Sequence, residues 1–361
     1  MAQPRDEAEL ILELAAIFES PGGAPASGGA PGSDGTLLGI GDDAAVLAPG
    51  SEPLVWSIDA AVEGVHFRRA WLSPEDLGYR ATMAAASDLA AMGASARGVL
   101  ASVVVPVGAL PASGATPGSA AGPVAASAWD NPDLALLAIA RGQRAACDLL
   151  GTRVVGGNLS RGGEWSIATT VLGATARPLR RDGARPGDLI YLAGSAGLAR
   201  AGFLALSAGR EREPELAAAV LAWRRPTALL DAGRAAARVA HGGIDVSDGL
   251  ALDTHRLATA SGVALLIEEA RLVQGTLHAA ALHRSAHALG TTPLELALAG
   301  GEDYALVVTA PPDAGLASRF VCIGHVEAAP APSVSLVTSR GRRAIEPRGF
   351  DHFRDPAPGV S

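Results

Sequence analysis

The sequence predicts a two-domain protein that mixes helices and strands. Its 361 residues are enough for two hydrophobic cores. Strand-like and helix-like segments follow one another with long separations, and this pattern is typical of α/β and α+β folds. We place the domain boundary near residues 176–186 and expect domains at 1–176 and 177–361.

Each predicted element rests on its hydrophobic period. The best-marked helix spans residues 74–93, where Ser73 can act as N-cap and Pro74 suits the first turn. The other elements expected in the first domain are helices at 6–20 and 131–150 and strands at 36–40, 54–59, 99–106, 152–158 and 165–174. In the second domain we expect a strand at 185–194, helices at 196–208, 214–223 and 226–241, a strand–turn–helix at 243–262, a strand at 263–269, a helix at 276–289 and a final strand near 320–326.

Two tracts, at 21–35 and 108–127, consist mostly of Gly, Pro, Ala and Ser. They supply too few large apolar groups to form a core. We interpret both as mobile loops, either as solvated insertions without a role or as a lid over an active site.

Composition excludes several functional classes. A formal net charge of −8 disfavours a nucleic-acid partner, because a phosphate backbone requires a basic surface. The sequence contains no lysine, which excludes a Walker-type phosphate loop and Schiff-base chemistry. Cys147 and Cys322 are too few and too isolated for a disulfide framework or a zinc site.

The start lacks the features of a signal peptide and no apolar run reaches about 20 residues, so we expect a cytoplasmic protein without a membrane partner.

Aspartates interrupt several apolar runs. Asp42 and Asp43 lie in LLGIGDDAAVL, Asp59 lies in LVWSIDAAVEGVHF, and Asp245 and Asp248 lie in GGIDVSDGLALD. Burial of unpaired carboxylates is costly, so the recurring pattern suggests that a cationic group binds these carboxylates. Divalent metal ions with oxygen ligands are the simplest such group.

Spacing adds further candidate ligands. Ser57 lies two positions before Asp59, so both side chains point to one side of the strand, and Ser247 stands in the same relation to Asp245. Asp88 falls on a helical face of small apolar residues, where a carboxylate is unexpected.

Each acid also has a simpler structural explanation. Asp42 and Asp43 suit a turn, Asp59 could face water from an edge strand, Asp88 could pair with an arginine, and Asp248 could cap the following helix. The combination indicates a carboxylate-rich site without lysine or a serine triad. Such a site suits metal-assisted phosphoryl transfer.

Two glycine-rich segments are ambiguous. VVGGN places Asn158 after a diglycine, which suits either backbone contact with phosphates or a simple turn. YLAGSAGLARAG lacks the dinucleotide-binding spacing, so we interpret it as helix–strand packing. A lone histidine such as His66 is weak evidence by itself.

Taken in order, these segments resemble the thiamine-monophosphate kinases, a family of the aminoimidazole ribonucleotide synthetase superfamily. The matching runs, from about residue 38 to 353, are GIGDDAAVL, SIDAAVEGVHF, DLGYRATMAAASDLAAMGA, VVGGN, RDGARPGDLIYLAG, IDVSDGLALD, GGEDYALVVTA and GFDHF. GGEDY and GFDHF favour this family over its relatives. A selenophosphate synthetase would need a reactive N-terminal cysteine or selenocysteine with a lysine, and the hydrogenase-maturation relative would need a C-terminal cysteine.

The resemblance implies ATP-dependent phosphorylation of thiamine monophosphate to thiamine diphosphate by direct, Mg²⁺-assisted γ-phosphoryl transfer. It implies several Mg²⁺ ions and a homodimer whose N-terminal domains together form a β-barrel, each followed by a C-terminal α/β domain. Carried over by motif, the magnesium ligands would be Asp43, Ser57, Asp59, Asp88, Asp245 and Asp248, of which Asp43, Asp88 and Asp248 would be catalytic. The ATP contacts would be Gly157, Asn158, Arg181 and Ser247, and the thiamine monophosphate contacts would be His66, Glu302 and Phe350.

Two positions depart from the family pattern. The family usually has aspartate where this chain has Asn158, and a hydroxyl residue where it has Ile58. Both positions help to hold one magnesium ion in the family, so we expect that ion to bind more weakly here, or through backbone and water. Two other functions stay open: a related ATP-dependent ligase acting on a purine precursor, and a non-catalytic sensor of thiamine phosphate or nucleotides.

Overall fold

The computed structural model describes residues 7–18, 35–40, 43–107 and 128–349. They form two compact units, the first drawn from residues up to 89 and from 95–176, the second from 90–94 and from residue 177 onward. Asp42, Phe350 and all of the two Gly/Pro tracts except Gly35 lie outside the described residues. Within the described ranges, no helix combines the length and the apolar character that crossing a membrane requires.

The first unit contains a four-stranded sheet, a small two-stranded sheet and three helices among its described residues. In chain order the elements are α1 (Glu7–Phe18), β1 (Thr36–Leu38), β2 (Val46–Leu47), β3 (Leu54–Val62), α2 (Pro74–Ala91), β4 (Ser95–Pro106), α3 (Pro132–Leu150), β5 (Val154–Gly162) and β6 (Ser166–Ala174). Apart from β2, which was not predicted, these bounds agree with the predicted elements to within about four residues.

The larger sheet of the first unit has strand order β3-β6-β4-β5, and only the β4–β5 pair is parallel. Its two faces differ in exposure. Val55 on β3 is buried, whereas Trp56 is 72% and Ile58 65% exposed. Side chains alternate along a strand, so Ser57 and Asp59 lie on the face opposite Trp56 and Ile58.

Helix α2 is fixed at its start and along its length. Ser73 Oγ accepts the N–H three residues later at 3.1 Å, which confirms the predicted N-cap. Glycines allow α2 and α3 to approach closely: a Cβ on Gly78 would lie 2.0 Å from the carbonyl oxygen of Ile139, and one on Gly142 would lie 1.9 Å from that of Glu75. A larger residue at either position would force the helices apart.

The second unit contains a seven-stranded sheet with helices. Its elements are β7 (Leu189–Ala193), α4 (Leu198–Ser207), α5 (Ala217–Arg224), α6 (Leu230–Ala237), β8 (Gly242–Val246), α7 (Leu250–Ser261), β9 (Ala264–Glu268), α8 (Glu269–Gly275), α9 (Ala279–Leu289), α10 (Pro293–Ala299), β10 (Ala305–Ala310), β11 (Val321–Glu327), β12 (Ser333–Thr338) and β13 (Gly341–Ala344). The strand order is β13-β12-β9-β11-β7-β10-β8, and every residue of β8 and β10 is buried.

The prediction that the chain ends with a strand near 320–326 is wrong. β11 occupies that region, but β12 and β13 follow it. β12 pairs in parallel with β9, and β13 is an edge strand whose four residues are all exposed. The exposed β13 lacks the alternating apolar pattern on which the prediction depends. β12 has this pattern, with Val334 and Leu336 buried, and was missed nonetheless.

Candidate active site

The first unit brings two of the predicted magnesium ligands into contact. Ser57 on β3 donates a hydrogen bond from Oγ to the carboxylate of Asp88 on α2. Asp59 lies on the same face of β3, and its carboxylate accepts the backbone N–H of Ala60 at 2.7 Å. Among the described residues no arginine forms an ion pair with Asp88, so the alternative of an arginine partner finds no support.

A cavity of about 960 Å³ lies within the first unit. Asp43, Gly157 and Asn158 line it, and the amide of Asn158 lies 3.5 Å from the hydroxyl of Ser102. Ile58 also lines the cavity, on the sheet face opposite Ser57 and Asp59. The volume is in the range of sites for small-molecule ligands.

The diglycine before Asn158 is not a turn, because β5 runs straight through it. A Cβ on Gly157 would lie only 2.1 Å from the carbonyl oxygen of Ala101 on the neighbouring strand. Close strand packing therefore requires this glycine whether or not a phosphate approaches it. The predicted contact of Gly157 with ATP stays a prediction.

His66 lies in the tight turn that follows β3. Its Nδ1 accepts the backbone N–H of Val62 at 3.1 Å. This contact ties the imidazole ring to the end of β3.

In the second unit, the turn between β8 and α7 carries the IDVSDG motif. Asp245 is 4% exposed at the end of β8. Asp248 does not cap α7, contrary to one interpretation of the sequence. Instead Asp253 reaches back from the helix, and one oxygen accepts the N–H groups of Asp248 and Gly249 at 3.0 and 3.1 Å.

Arg256 completes this arrangement. It donates to Asp248 at 2.5 Å and to Asp253 at 2.7 Å. Burial raises the pKa of Asp253 to about 6, while the backbone hydrogen bond and Arg256 act in the opposite direction. Sequence analysis missed Asp253 and Arg256. Asp253 could have been noticed, because it is the only charged residue in the segment LALD.

Arg181 and Ser247, the other predicted phosphate contacts of this unit, lie in different local settings. Arg181 begins a short 3₁₀ turn and its side chain is exposed. The carbonyl oxygen of Ser247 accepts the backbone N–H of Glu302 at 2.8 Å, which ties the IDVSDG turn to the GGEDY segment.

The GGEDY segment has a strained backbone. Glu302 and Tyr304 have φ values of 63° and 49°, a region that non-glycine residues rarely adopt. Between them, Asp303 accepts the N–H groups of Gly197 and Ala199 at 2.6 and 2.9 Å at the start of α4. Burial raises the pKa of Asp303 to about 7, against the effect of these N–H donors. The carboxylate of Asp303 thus occupies the N-terminus of α4, which lies in YLAGSAGLARAG. This supports the interpretation of that segment as helix–strand packing.

Two further side chains act on Glu302, and sequence analysis identified neither of them. Trp223 on α5 donates from Nε1 to Oε2 of Glu302 at 2.6 Å. Burial lowers the pKa of Arg200 on α4, and the charge of Glu302 acts against this. The guanidinium of Arg200 lies 5.1 Å from the ring centroid of Phe203. No local sequence pattern distinguishes a buried tryptophan of this kind from ordinary core.

The donor chemistry of both units suits Mg²⁺, since the predicted ligands offer carboxylate and hydroxyl oxygens. Within the described ranges no group of three or more His, Cys, Asp or Glu side chains is arranged to hold a metal ion. The six ligands named from the sequence therefore stay predictions.

Comparison with protein families matches both halves of the chain. Residues 41–175 match the N-terminal domain of AIR synthase related proteins, and residues 185–336 match the C-terminal domain. A thiamine-monophosphate kinase of Aquifex aeolicus is 32% identical over 87% of this chain and 92% of its own length. One of Mycobacterium tuberculosis is 36% identical over 75% of this chain and 74% of its own length.

Solved structures agree with these matches. AaThiL complexed with AMPPCP and TMP is 31% identical, with a TM-score of 0.72 over 87% of this chain and 92% of its own. The hydrogenase maturation protein HypE in complex with ATP is 18% identical with a TM-score of 0.69, and this likeness concerns the fold alone. Two family matches that together cover most of the sequence, and relatives similar over most of both lengths, lead to one conclusion: the chain belongs to the AIR synthase related family and, within it, to the thiamine-monophosphate kinases.

Proposed function

We propose that this chain transfers the γ-phosphoryl group of ATP to thiamine monophosphate, forming thiamine diphosphate and ADP. The observation that carries the proposal is the similarity to thiamine-monophosphate kinases over most of both chains. The binding of AMPPCP and TMP by AaThiL adds the two ligand classes that the reaction needs.

The cavity of the first unit is the proposed site of the nucleotide base; Ser57 and Asp59 lie on the opposite face of the sheet, so magnesium held by them would lie outside this cavity. Its lining combines apolar side chains, which suit a base, with Asp43, Gly157 and Asn158. By the family motif, Arg181 and Ser247 are further phosphate contacts. An arginine suits this role because its planar fork matches a phosphate.

The acceptor is a phosphate monoester, whose second pKa is near 6. Its oxygen is therefore already anionic at neutral pH, and the reaction needs no general base. The main barrier is repulsion between the two phosphorylated substrates. Magnesium ions would neutralise this charge, held by the oxygen donors Asp43, Ser57, Asp59, Asp88, Asp245 and Asp248.

Glu302 and His66 are the proposed contacts of the thiamine monophosphate within the described residues. Glu302 supplies negative charge for the cationic ring system. Phe350, which lies outside the described residues, is proposed to add an aromatic face, and a cation–π contact contributes about 0.5–2 kcal/mol.

We also propose a homodimer in which two copies of the first unit pair through their sheets and complete a β-barrel. Leu54, Trp56, Ile58 and Leu100 are 61%, 72%, 65% and 38% exposed. The register of β3, β6 and β4 places Ile58 and Leu100 on one face. A contiguous apolar face of this kind favours association with a second copy. Trp56, Ile58 and Leu100 also line the cavity, so the second copy would lie beside the proposed nucleotide site.

A coupled ADP-release assay tests the reaction. Purified chain with ATP and thiamine monophosphate should release ADP only when Mg²⁺ is present, with thiamine diphosphate as product. Thiamine, which lacks the acceptor phosphate, is the matched control and should give no ADP. Tight substrate binding without ADP release at any Mg²⁺ concentration would instead indicate a sensor. ADP release with a purine precursor, and none with thiamine monophosphate, would indicate the ligase.

A further inference from the structure

An indole hydrogen bond joins α5 to the GGEDY segment. Trp223 is 0% exposed, and its Nε1 donates to Oε2 of Glu302 at 2.6 Å. A hydrogen bond from a neutral donor to a carboxylate is shorter and stronger than one between two neutral groups. The contact therefore fixes the position of one oxygen of Glu302.

The backbone on both sides of Glu302 is fixed as well. Its N–H donates to the carbonyl of Ser247 at 2.8 Å, and that of Tyr304 donates to Val246 at 3.0 Å. Asp303 anchors the same segment to the start of α4. The strained φ values at Glu302 and Tyr304 are thus held by contacts on several sides. With the backbone set, the indole hydrogen bond helps to orient the carboxylate.

A close approach of helices places the indole there. Gly202 on α4 faces α5, and a Cβ at this position would lie 2.1 Å from the carbonyl oxygen of Ala219 and 3.0 Å from Cβ of Trp223. The helix that carries Arg200 and Phe203 is therefore packed directly against the helix that carries Trp223. These contacts form one preorganised wall around Glu302.

We propose that Trp223 is a positioning residue, which orients the Glu302 carboxylate toward the cationic ring system of thiamine monophosphate and so sets affinity for this substrate and not for ATP. The inference rests on the proposed function, in which Glu302 contacts the substrate. Trp223 acts through Glu302 and does not touch the reacting phosphates.

The test compares two identical substitutions. Trp223→Phe keeps an aromatic ring and removes the N–H that bonds to Glu302. Trp165→Phe is the matched control, since Trp165 is also 0% exposed but its Nε1 has no hydrogen-bond partner in the part of the chain that the structure describes. We expect Trp223→Phe to raise the KM for thiamine monophosphate, and its Kd measured by calorimetry without ATP, about tenfold. The KM for ATP should stay within about twofold, and Trp165→Phe should change none of these values by more than that.

A double-variant cycle with Glu302→Gln tests whether Trp223 acts through Glu302. If it does, Trp223→Phe should weaken the binding of thiamine monophosphate less in the Glu302→Gln background than in the wild type. Additive losses would overturn the proposal. Unchanged affinity in Trp223→Phe, or parallel losses for ATP and thiamine monophosphate, would also overturn it.

A measurement on the wild-type chain covers the case in which Trp223→Phe does not fold. The indole N–H resonance of Trp223, identified by Trp→Phe substitution at the other four tryptophans, should shift when thiamine monophosphate is added and not when AMPPCP is added alone. The absence of a shift overturns the inference. If the wild type turns over thiamine monophosphate but Trp223→Phe and Trp165→Phe bind it equally well, only the inference about Trp223 fails and the proposed function stands. If the wild type does not bind thiamine monophosphate, both the inference and the proposed function fail.

Discussion

The sheets of the two units differ in how completely they are covered. In the second unit, β8 and β10 are buried along their whole length, as expected for strands packed on both faces. In the first unit, β3 alternates between buried Val55 and the highly exposed Trp56 and Ile58. The second sheet is therefore fully covered at β8 and β10, although its edge strand β13 is exposed. The first sheet offers an apolar face and a cavity, which are features of a binding surface.

The acids of the two units differ in the same way. In the second unit, Asp253 and Asp303 accept backbone N–H groups, and Arg256 bonds to Asp248 and Asp253. In the first unit, Asp88 accepts a hydrogen bond from a hydroxyl group. Asp253 and Asp303, which accept backbone N–H groups from other segments, stabilise the local fold, whereas Asp88 beside a hydroxyl keeps oxygens suited to a metal ion. The contrast predicts that substitution of Asp88 affects activity more than stability.

The largest effect is expected for Asp88→Ala, which should abolish turnover. A fall in kcat of at least about a thousandfold would be in line with the loss of a key electrostatic group. The thermal midpoint should stay close to that of the wild type, because the substitution removes a partly buried hydrogen bond from Ser57, and such a bond contributes only about 1 kcal/mol. Asp148→Ala, which removes an exposed ion pair with Arg144 in the same unit, is the control and should leave kcat unchanged. Full activity of Asp88→Ala would remove this residue from the site.

Trp56→Asp tests the exposed face of the first sheet. A charge at the centre of an apolar contact is costly, so the variant should be monomeric in light scattering where the wild type is dimeric. Leu149→Asp is the control, because Leu149 on α3 is also 72% exposed. A dimer that survives Trp56→Asp, or one that Leu149→Asp disrupts equally, would contradict the proposed pairing.

Asp303→Asn tests the role of buried acids in the second unit. Since the folded state raises the pKa of Asp303 from 3.8 to about 7, the folded state favours the protonated form. The free energy of unfolding should therefore fall as pH rises from about 4 to about 7, by at most about 4 kcal/mol. Urea unfolding across this range should show a shallower fall in Asp303→Asn. Asp231→Asn, at an exposed ion pair with Arg234, should keep the wild-type slope, and an identical slope in both variants would refute this account.

The smallest effect is expected for Asn158→Asp, which restores the carboxylate typical of the family beside the cavity. It should lower the Mg²⁺ concentration for half-maximal rate severalfold, because an ionised oxygen binds a hard cation better than an amide does. Asn131→Asp is the control, since aspartate also caps a helix well and Asn131 caps α3. An unchanged or higher Mg²⁺ requirement would show that Asn158 does not limit metal binding.

Much of the fold follows from local sequence. Ser73 and Pro74 mark the start of α2, and the diglycine and acid motifs locate the segments that the family comparison matches. These features could be predicted because capping and hydrophobic period act over a few residues. β13 could not be predicted, since its four residues are all exposed and only pairing with β12 makes them a strand.

The hydrogen-bond partners of the acidic side chains could not be predicted from the sequence. The sequence by itself determined that Asp88 stands out in its segment, because a charge among apolar residues is visible in one dimension, whereas Glu302 was named only from the resemblance to the family. Only the tertiary structure decided that Asp253, and not Asp248, binds the amides before α7, and that Trp223 meets Glu302 from 79 positions away. The physical reason is that a hydrogen bond depends on distance and direction in space, and chain folding sets both independently of sequence separation.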